Sequence, residues 1–183
     1  MKKLNFIISL FFISHFGFSQ TVFPPANVSF DDYLNLVNEV NAHRKSRLIS
    51  LNEFLKQSKT TGVVILDTRS DSMYLSKHIK GAIHLNFSDF TQQNLAKLIP
   101  NNQTKILIYC NNNFNNDQIN FADKAFIPAK LDKVNKSITL ALNIPTYINL
   151  YGYGYKNVFE LSELVSVFDS RVVFEGTSVS KKK

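Results

Sequence analysis

The chain carries a single sulfur nucleophile. Cys110 follows the apolar run Ile106-Leu107-Ile108-Tyr109 and precedes Asn111-Asn112-Asn113-Phe114-Asn115-Asn116. A thiol at the end of a buried strand, under a loop that feeds a helix, lies where main-chain N–H groups can converge. Such nests stabilise a thiolate or an anion bound to it. Asparagine tolerates positive φ better than most residues, so an Asn-rich loop can curl where glycine would otherwise be needed. The same residues also have a plainer reading. Cysteine is among the most often buried side chains, and an asparagine run is an ordinary polar turn. A second strand, Val63-Val64-Ile65-Leu66, ends in Asp67-Thr68-Arg69. Ligands of open α/β sheets sit outside the carboxyl ends of the strands, which makes these two strand ends the candidate site.

Composition narrows the chemistry. One cysteine in 183 residues rules out a disulfide within the chain and any zinc site needing several thiolates. His43, His78 and His84 have no ligand-like spacing with acidic partners, so no metal is expected. The six glycines form no P-loop, and Gly152-Tyr153-Gly154 precedes a strand instead of following one, so no nucleotide cofactor is expected. With 44% apolar and 13% aromatic residues, the chain has ample material for one packed core. The formal charge is +7, and the +5 left without the first nineteen residues reads as spread along the chain, with Lys181-Lys182-Lys183 as a tail, so nucleic acid is not an expected partner.

The elements that must position Cys110 follow from periodicity and caps. Continuous apolar runs at 63–66 and 106–109, with helical patterns between them, predict strands buried on both faces. The fold class expected is α/β, with a central, mostly parallel sheet flanked by helices. Ser29 caps a helix from Phe30 to near His43, and Asp31 and Asp32 complement its dipole. Ser50 with Glu53 is a capping-box pattern opening a helix over 52–58, after a short strand at 47–50. Further strands are expected at 82–85, 158–161 and 172–174. Helices are expected over 88–98, 119–126, around 145–151 and over 162–168. The stretch 138–142 is open between a strand and the start of the next helix, with strand favoured because Asn143 and Pro145 look like a fresh start.

The N-terminus reads as an address. Met1-Lys2-Lys3, the apolar stretch from Leu4 to Phe18, and small residues Gly17 and Ser19 at −3 and −1 have the form of a secretory signal peptide cleaved after Ser19. The domain plan expected is a signal peptide at 1–19, an extension with a helix at 20–46, the main domain at 47–176, and a basic tail at 177–183. The processed chain would keep a charge of +5, have no span of membrane length, and be periplasmic or secreted.

Taken in order, several motifs resemble the rhodanese-like domain. They are Val64-Ile65-Leu66-Asp67-Thr68-Arg69, His78-Ile79-Lys80-Gly81-Ala82-Ile83, the strand ending in Cys110, and Gly154-Tyr155-Lys156-Asn157-Val158-Phe159-Glu160-Leu161. The resemblance spans about residues 47 to 170 and implies a sulfurtransferase or persulfide carrier. In that scheme Cys110 attacks a sulfane-sulfur donor, and the amides of Asn111, Asn112, Asn113, Phe114, Asn115 and Asn116 hold the terminal sulfur or a small anion. Asp67, Arg69 and His78 would organise the surrounding loops, and Arg69 is also a candidate for a direct role. Lys77 departs from the family's glycine before His78. The family loop commonly reads C-R-x-G-x-R, whereas Asn111 and Asn115 stand at the arginine positions here. Thiosulfate turnover is therefore expected to be poor, because charge-assisted hydrogen bonds to a dianion are lost. Asn116 likewise denies the C-x5-R clamp of related phosphatases. The insert around 126–142, with Lys124 just before it and Lys130, Lys133 and Lys136 within it, is longer than usual for the family. The alternative is a catalytically weak or inactive module that binds a protein partner or small ligand. Thiol redox chemistry is a third possibility, without a resolving cysteine in the chain.

Overall fold

The computed structural model describes residues 23–126 and 138–179. The signal-peptide segment, the lysines of the insert and the terminal lysines lie outside them.

Ser29 accepts the Asp32 N–H and opens α1, Phe30–Lys45. Strand β1, Leu48–Ile49, leads to Ser50, which accepts the Glu53 N–H and opens α2, Leu51–Gln57. Next come β2, Val64–Asp67, α3, Asp71–Ser76, β3, His78–Ile79, and β4, Ile83–His84. The helix expected over 88–98 divides into a 3-10 turn, Phe87–Asp89, and α4, Gln92–Leu98. The break falls at Thr91, whose hydroxyl caps α4 by accepting the Asn94 N–H.

Strand β5, Ile106–Ile108, carries Cys110 at its carboxyl end. Beyond it lie a 3-10 turn, Asn111–Asn113, and a two-residue strand β6, Phe114–Asn115. Residues 119–126 are not a helix. A turn over 117–121 is followed by β7, Ala125–Phe126, which pairs antiparallel with β8, Ile138–Thr139. Helix α5 spans Asn143–Gly152, and β9, Val158–Leu161, closes the main sheet.

The helix expected over 162–168 is also absent. Val165–Ser166 forms β10 and pairs in parallel with β6, so tertiary pairing overrides a weak local pattern. The terminal strand, β11, is Phe174–Glu175 and pairs antiparallel with β3. Gly176 follows it at φ +126, with an imagined Cβ only 2.5 Å from the Ser76 carbonyl oxygen.

The main sheet runs β1-β9-β5-β2-β4, parallel throughout. Its two faces feed two cores. Leu107 and Tyr109 pack with Leu51, Phe54, Ile65, Phe114 and Phe121. Ile106 and Ile108 face the other way, against Val40, Leu95, Tyr147 and Leu150 of α1, α4 and α5. Alternation along β5 therefore carries Cys110 toward the α1–α5 side. No described helix is long and apolar enough to cross a membrane.

Candidate active site

Cys110 is buried, with 1% of its surface exposed. Burial pushes its thiol above the usual value. The N–H groups of Asn111 and Leu142 point at the sulfur and oppose that rise, Asp67 adds to it, and Arg69 opposes it. Desolvation is the largest of these effects, and the net shift is upward. Leu142 is the N-cap residue of α5, and its carbonyl accepts the Thr146 N–H at 2.8 Å. The chain thus leaves Cys110, travels through β6, β7 and β8, and returns to place the start of α5 beside the same sulfur.

The cradle expected from Asn111 to Asn116 does not form as a ring. Of its amides, that of Asn111 serves the sulfur, that of Asn113 is shared between the Cys110 side chain in a capping box and the Cys110 carbonyl, and that of Phe114 donates to the Asn111 carbonyl. Phe114 and Asn115 are drawn away into pairing with β10. Asn112 donates to Asp123 and accepts the Lys124 N–H, which ties the turn to the segment leading into β7. Asn116 has φ 67, the only positive value on a non-glycine among the described residues. It turns the chain after β6, the left-handed use expected of an asparagine.

Asn113 has a separate task. Its Oδ1 accepts the Cys110 N–H at 2.9 Å, and its Nδ2 donates to the carbonyls of Leu161 and Glu163. The strand end bearing the cysteine is thereby clamped to the end of β9. Asn143, expected as a helix start and not as a site residue, donates from Nδ2 to the same Asn113 Oδ1 at 2.9 Å. Its Oδ1 is buried without a partner, as is that of Asn111. The helix-start signal at Asn143 and Pro145 was visible in the sequence; its arrival at Cys110 was not.

Asp67, Arg69 and Tyr109 form one buried brace. Arg69 donates to both Asp67 oxygens and to the carbonyls of Asn120 and Lys77. Its guanidinium also lies 4.5 Å from the Phe121 ring centre. The Tyr109 hydroxyl donates to Asp67 and accepts the Ile79 N–H. With Asp67 and Arg69 exposed by 0% and 1%, the pair is closed to a ligand, and Arg69 reaches Cys110 through its field alone. His78 lies in β3, stacked 3.9 Å from Tyr74, bonded to the Tyr74 carbonyl and to Glu175 of β11. It fastens β11 to β3, which form a two-stranded sheet of their own, and does not approach Cys110 by any bond.

Two cavities flank this region. One, of about 260 Å³, opens at the carboxyl ends of β1 and β9 beside Asn112, Asn113 and Asn143. The other, of about 510 Å³, lies against Lys77, Asp117 and Phe168. Cys110 lines neither. No group of three or more His, Cys, Asp or Glu able to hold a metal occurs among the described residues.

A parallel β1-β9-β5-β2-β4 sheet with its cysteine at the carboxyl end of the central strand defines a class of α/β fold. The rhodanese-like domain family matches residues 50–163, and the chain belongs to it. Among solved structures it is similar to a rhodanese with anions from E. coli, at 16% identity and TM-score 0.37, covering 62% of this chain and 98% of that one. It is also similar to the BH2092 protein from Bacillus halodurans, at 19% identity and TM-score 0.45, covering 77% of this chain and 87% of that one. Compared with curated proteins, the chain matches none.

Proposed function

We propose that this chain is an exported rhodanese-like module that binds a small ligand or partner and keeps Cys110 as a shielded thiol instead of a fast sulfur-transfer nucleophile. One observation carries this reading: Cys110 is 1% exposed as a residue, and burial pushes its thiol up. A sulfurtransferase nucleophile must be a thiolate in reach of its donor. The missing loop arginines and the Phe114 amide, which donates to the Asn111 carbonyl, support the same reading. Export is supported by Met1-Lys2-Lys3, the apolar run behind it and the small residues before Gln20. N-terminal sequencing of protein recovered outside the cytoplasm should begin at Gln20; a chain kept inside with Met1 intact would refute export.

The second reading, persulfide carriage, draws on the two N–H groups directed at the sulfur. In that reaction the thiolate attacks the sulfane sulfur of thiosulfate, a new S–S bond forms, and sulfite leaves with the electron pair. Intact-mass measurement after incubation with thiosulfate or polysulfide separates the two. The module reading expects no added sulfur on folded protein. An adduct removed by cyanide and missing from Cys110→Ser would establish the enzyme instead.

A further inference from the structure

Helix α1 outruns the core it packs on. Phe30, Tyr33, Leu34, Val37 and Val40 fall at i, i+3, i+4, i+7 and i+10, one apolar stripe along the helix. Val40 is buried, and Leu36 and Val37 are half-buried against the core that α5 shares. The other end of the stripe is bare. Every residue from 23 to 35 is exposed, with Phe30, Tyr33 and Leu34 at 76%, 46% and 47%, and Phe23 and Val28 just ahead of them at 82% and 84%. Large apolar side chains gathered on one projecting end mark an interaction surface, as single scattered ones do not. The charge of this end has one sign: Asp31, Asp32 and Glu39 are the only charged side chains from Phe23 to Ala42.

A surface of the opposite sign lies across the sheet. Two neighbouring hollows, of about 290 and 460 Å³, share Leu55, Lys59 and Arg171 as a common wall. Val63 and Val173 extend the apolar floor, and Lys56 and Lys80 complete a cationic rim. No acid lines either hollow. Lys56 lies 3.8 Å from Glu53, and Arg171 is bound to Asp169. Lys59 and Lys80 make no ion pair among the described residues. Bases and acids are equal in number over the described residues, so this rim is a local concentration of charge. Leu55 and Val63 pack on the core of one sheet face, whereas α1 packs on the other. The helix end and the groove therefore cannot meet within one molecule.

We propose that the bare end of α1 docks in the cationic groove of a second copy of this chain, its apolar stripe covered by the groove floor and its carboxylates matched by the lysine rim. The two surfaces differ, so the contact is head-to-tail and can repeat along a row of molecules. Hollows of this size make a small interface, and small interfaces give weak, concentration-dependent association. Opposite charge steers the encounter and makes it sensitive to salt. The proposal goes beyond the binding-module reading and uses no atom of the Cys110 site, so it stands whether or not the thiol carries sulfur.

The test is sedimentation equilibrium of the protein as purified from the cell, over about 10 μM to about 1 mM. The average mass should climb above the monomer, and raising salt from about 50 mM to about 500 mM should weaken association about tenfold. Two charge reversals probe the two surfaces: Lys59→Glu with Lys80→Glu, and Asp31→Lys with Asp32→Lys. Each variant alone should be monomeric, because groove and helix end then carry like charge. Mixing the two should restore association, since each groove again finds a helix end of opposite sign. Phe30→Ala with Leu34→Ala, at exposed positions, should abolish association with little change in Tm. A wild type that stays monomeric to about 1 mM would overturn the proposal. So would association that survives either reversal, or a mixture of folded variants that stays monomeric. A monomeric wild type that sediments with anionic phospholipid vesicles through Lys59 and Lys80 would assign the groove to a lipid surface instead.

Discussion

The main-chain N–H of Leu142 is directed at the sulfur of Cys110, which precedes it by most of an inserted loop. A helix start remote in sequence, that of α5, is thus brought beside the sulfur. Access to the sulfur depends on α5 staying seated, so thiol chemistry should report local opening.

Alkylation of native Cys110 by iodoacetamide near pH 8 should run on the order of a hundredfold slower than that of the urea-unfolded chain. The rate should rise with denaturant before global unfolding if α5 lifts alone. A native rate equal to that of a free thiol would contradict the enclosure of the sulfur.

The Asp67–Arg69 brace should dominate the stability of the site wall. Asp67→Asn leaves a buried guanidinium without its counter-charge and should cost about 3–5 kcal/mol in urea unfolding. Tyr109→Phe removes the hydroxyl that serves Asp67 and Ile79 and should cost about 1–3 kcal/mol.

Gly176→Ala places a methyl group 2.5 Å from the Ser76 carbonyl oxygen at a φ of +126. Loss on the order of 1–3 kcal/mol is expected from backbone strain. Limited proteolysis should show the C-terminal segment cut first, as β11 detaches from β3.

Stability should fall at both ends of the pH range. Burial pushes up the thiol of Cys110 and the hydroxyl of Tyr109, and takes Tyr147 to about 12. Groups raised in this way stabilise the fold fully below their ordinary values, and the contribution is lost as pH climbs through the folded ones. His43 is lowered, by burial first and then by Arg47 and Lys156. Asp117 is also lowered, because bonds from Lys77 and Asn120 outweigh its burial. These two contribute above their ordinary values, and their share is lost as pH falls through the folded ones. A Tm plateau from about pH 7 to about pH 9 is expected, with a decline on each side; a Tm still rising above pH 9 would contradict it.

Much of the scaffold was legible from sequence for physical reasons. The runs at Val63–Leu66 and Ile106–Tyr109 are apolar at every position because helices cover both sheet faces, and Ser29 and Ser50 cap where hydroxyls before amphipathic patterns should. The misses share a cause. Val165–Ser166 is a strand only because Phe114–Asn115 lies beside it, and Ala125–Phe126 only because Ile138–Thr139 does. Such pairings join segments far apart in the chain and leave no local period. The enclosure of Cys110 was hidden for the same reason, since Leu142 and Asn143 approach from across the insert. Charge was also misread as evenly spread. Thirteen basic and thirteen acidic side chains fall among the described residues, so the surplus belongs to the first three residues, the 130–136 stretch and the final lysines.

The strand-to-helix corner at Cys110 is both exit and re-entry for the polypeptide. Between departure at Asn111 and return at Leu142, Phe114 and Phe121 are spent on the core and the Asn120 carbonyl on Arg69, so the near half of that excursion is woven into the body of the domain. Any change of length there would be felt at the sulfur, because the same stretch both leaves it and supports the wall behind it.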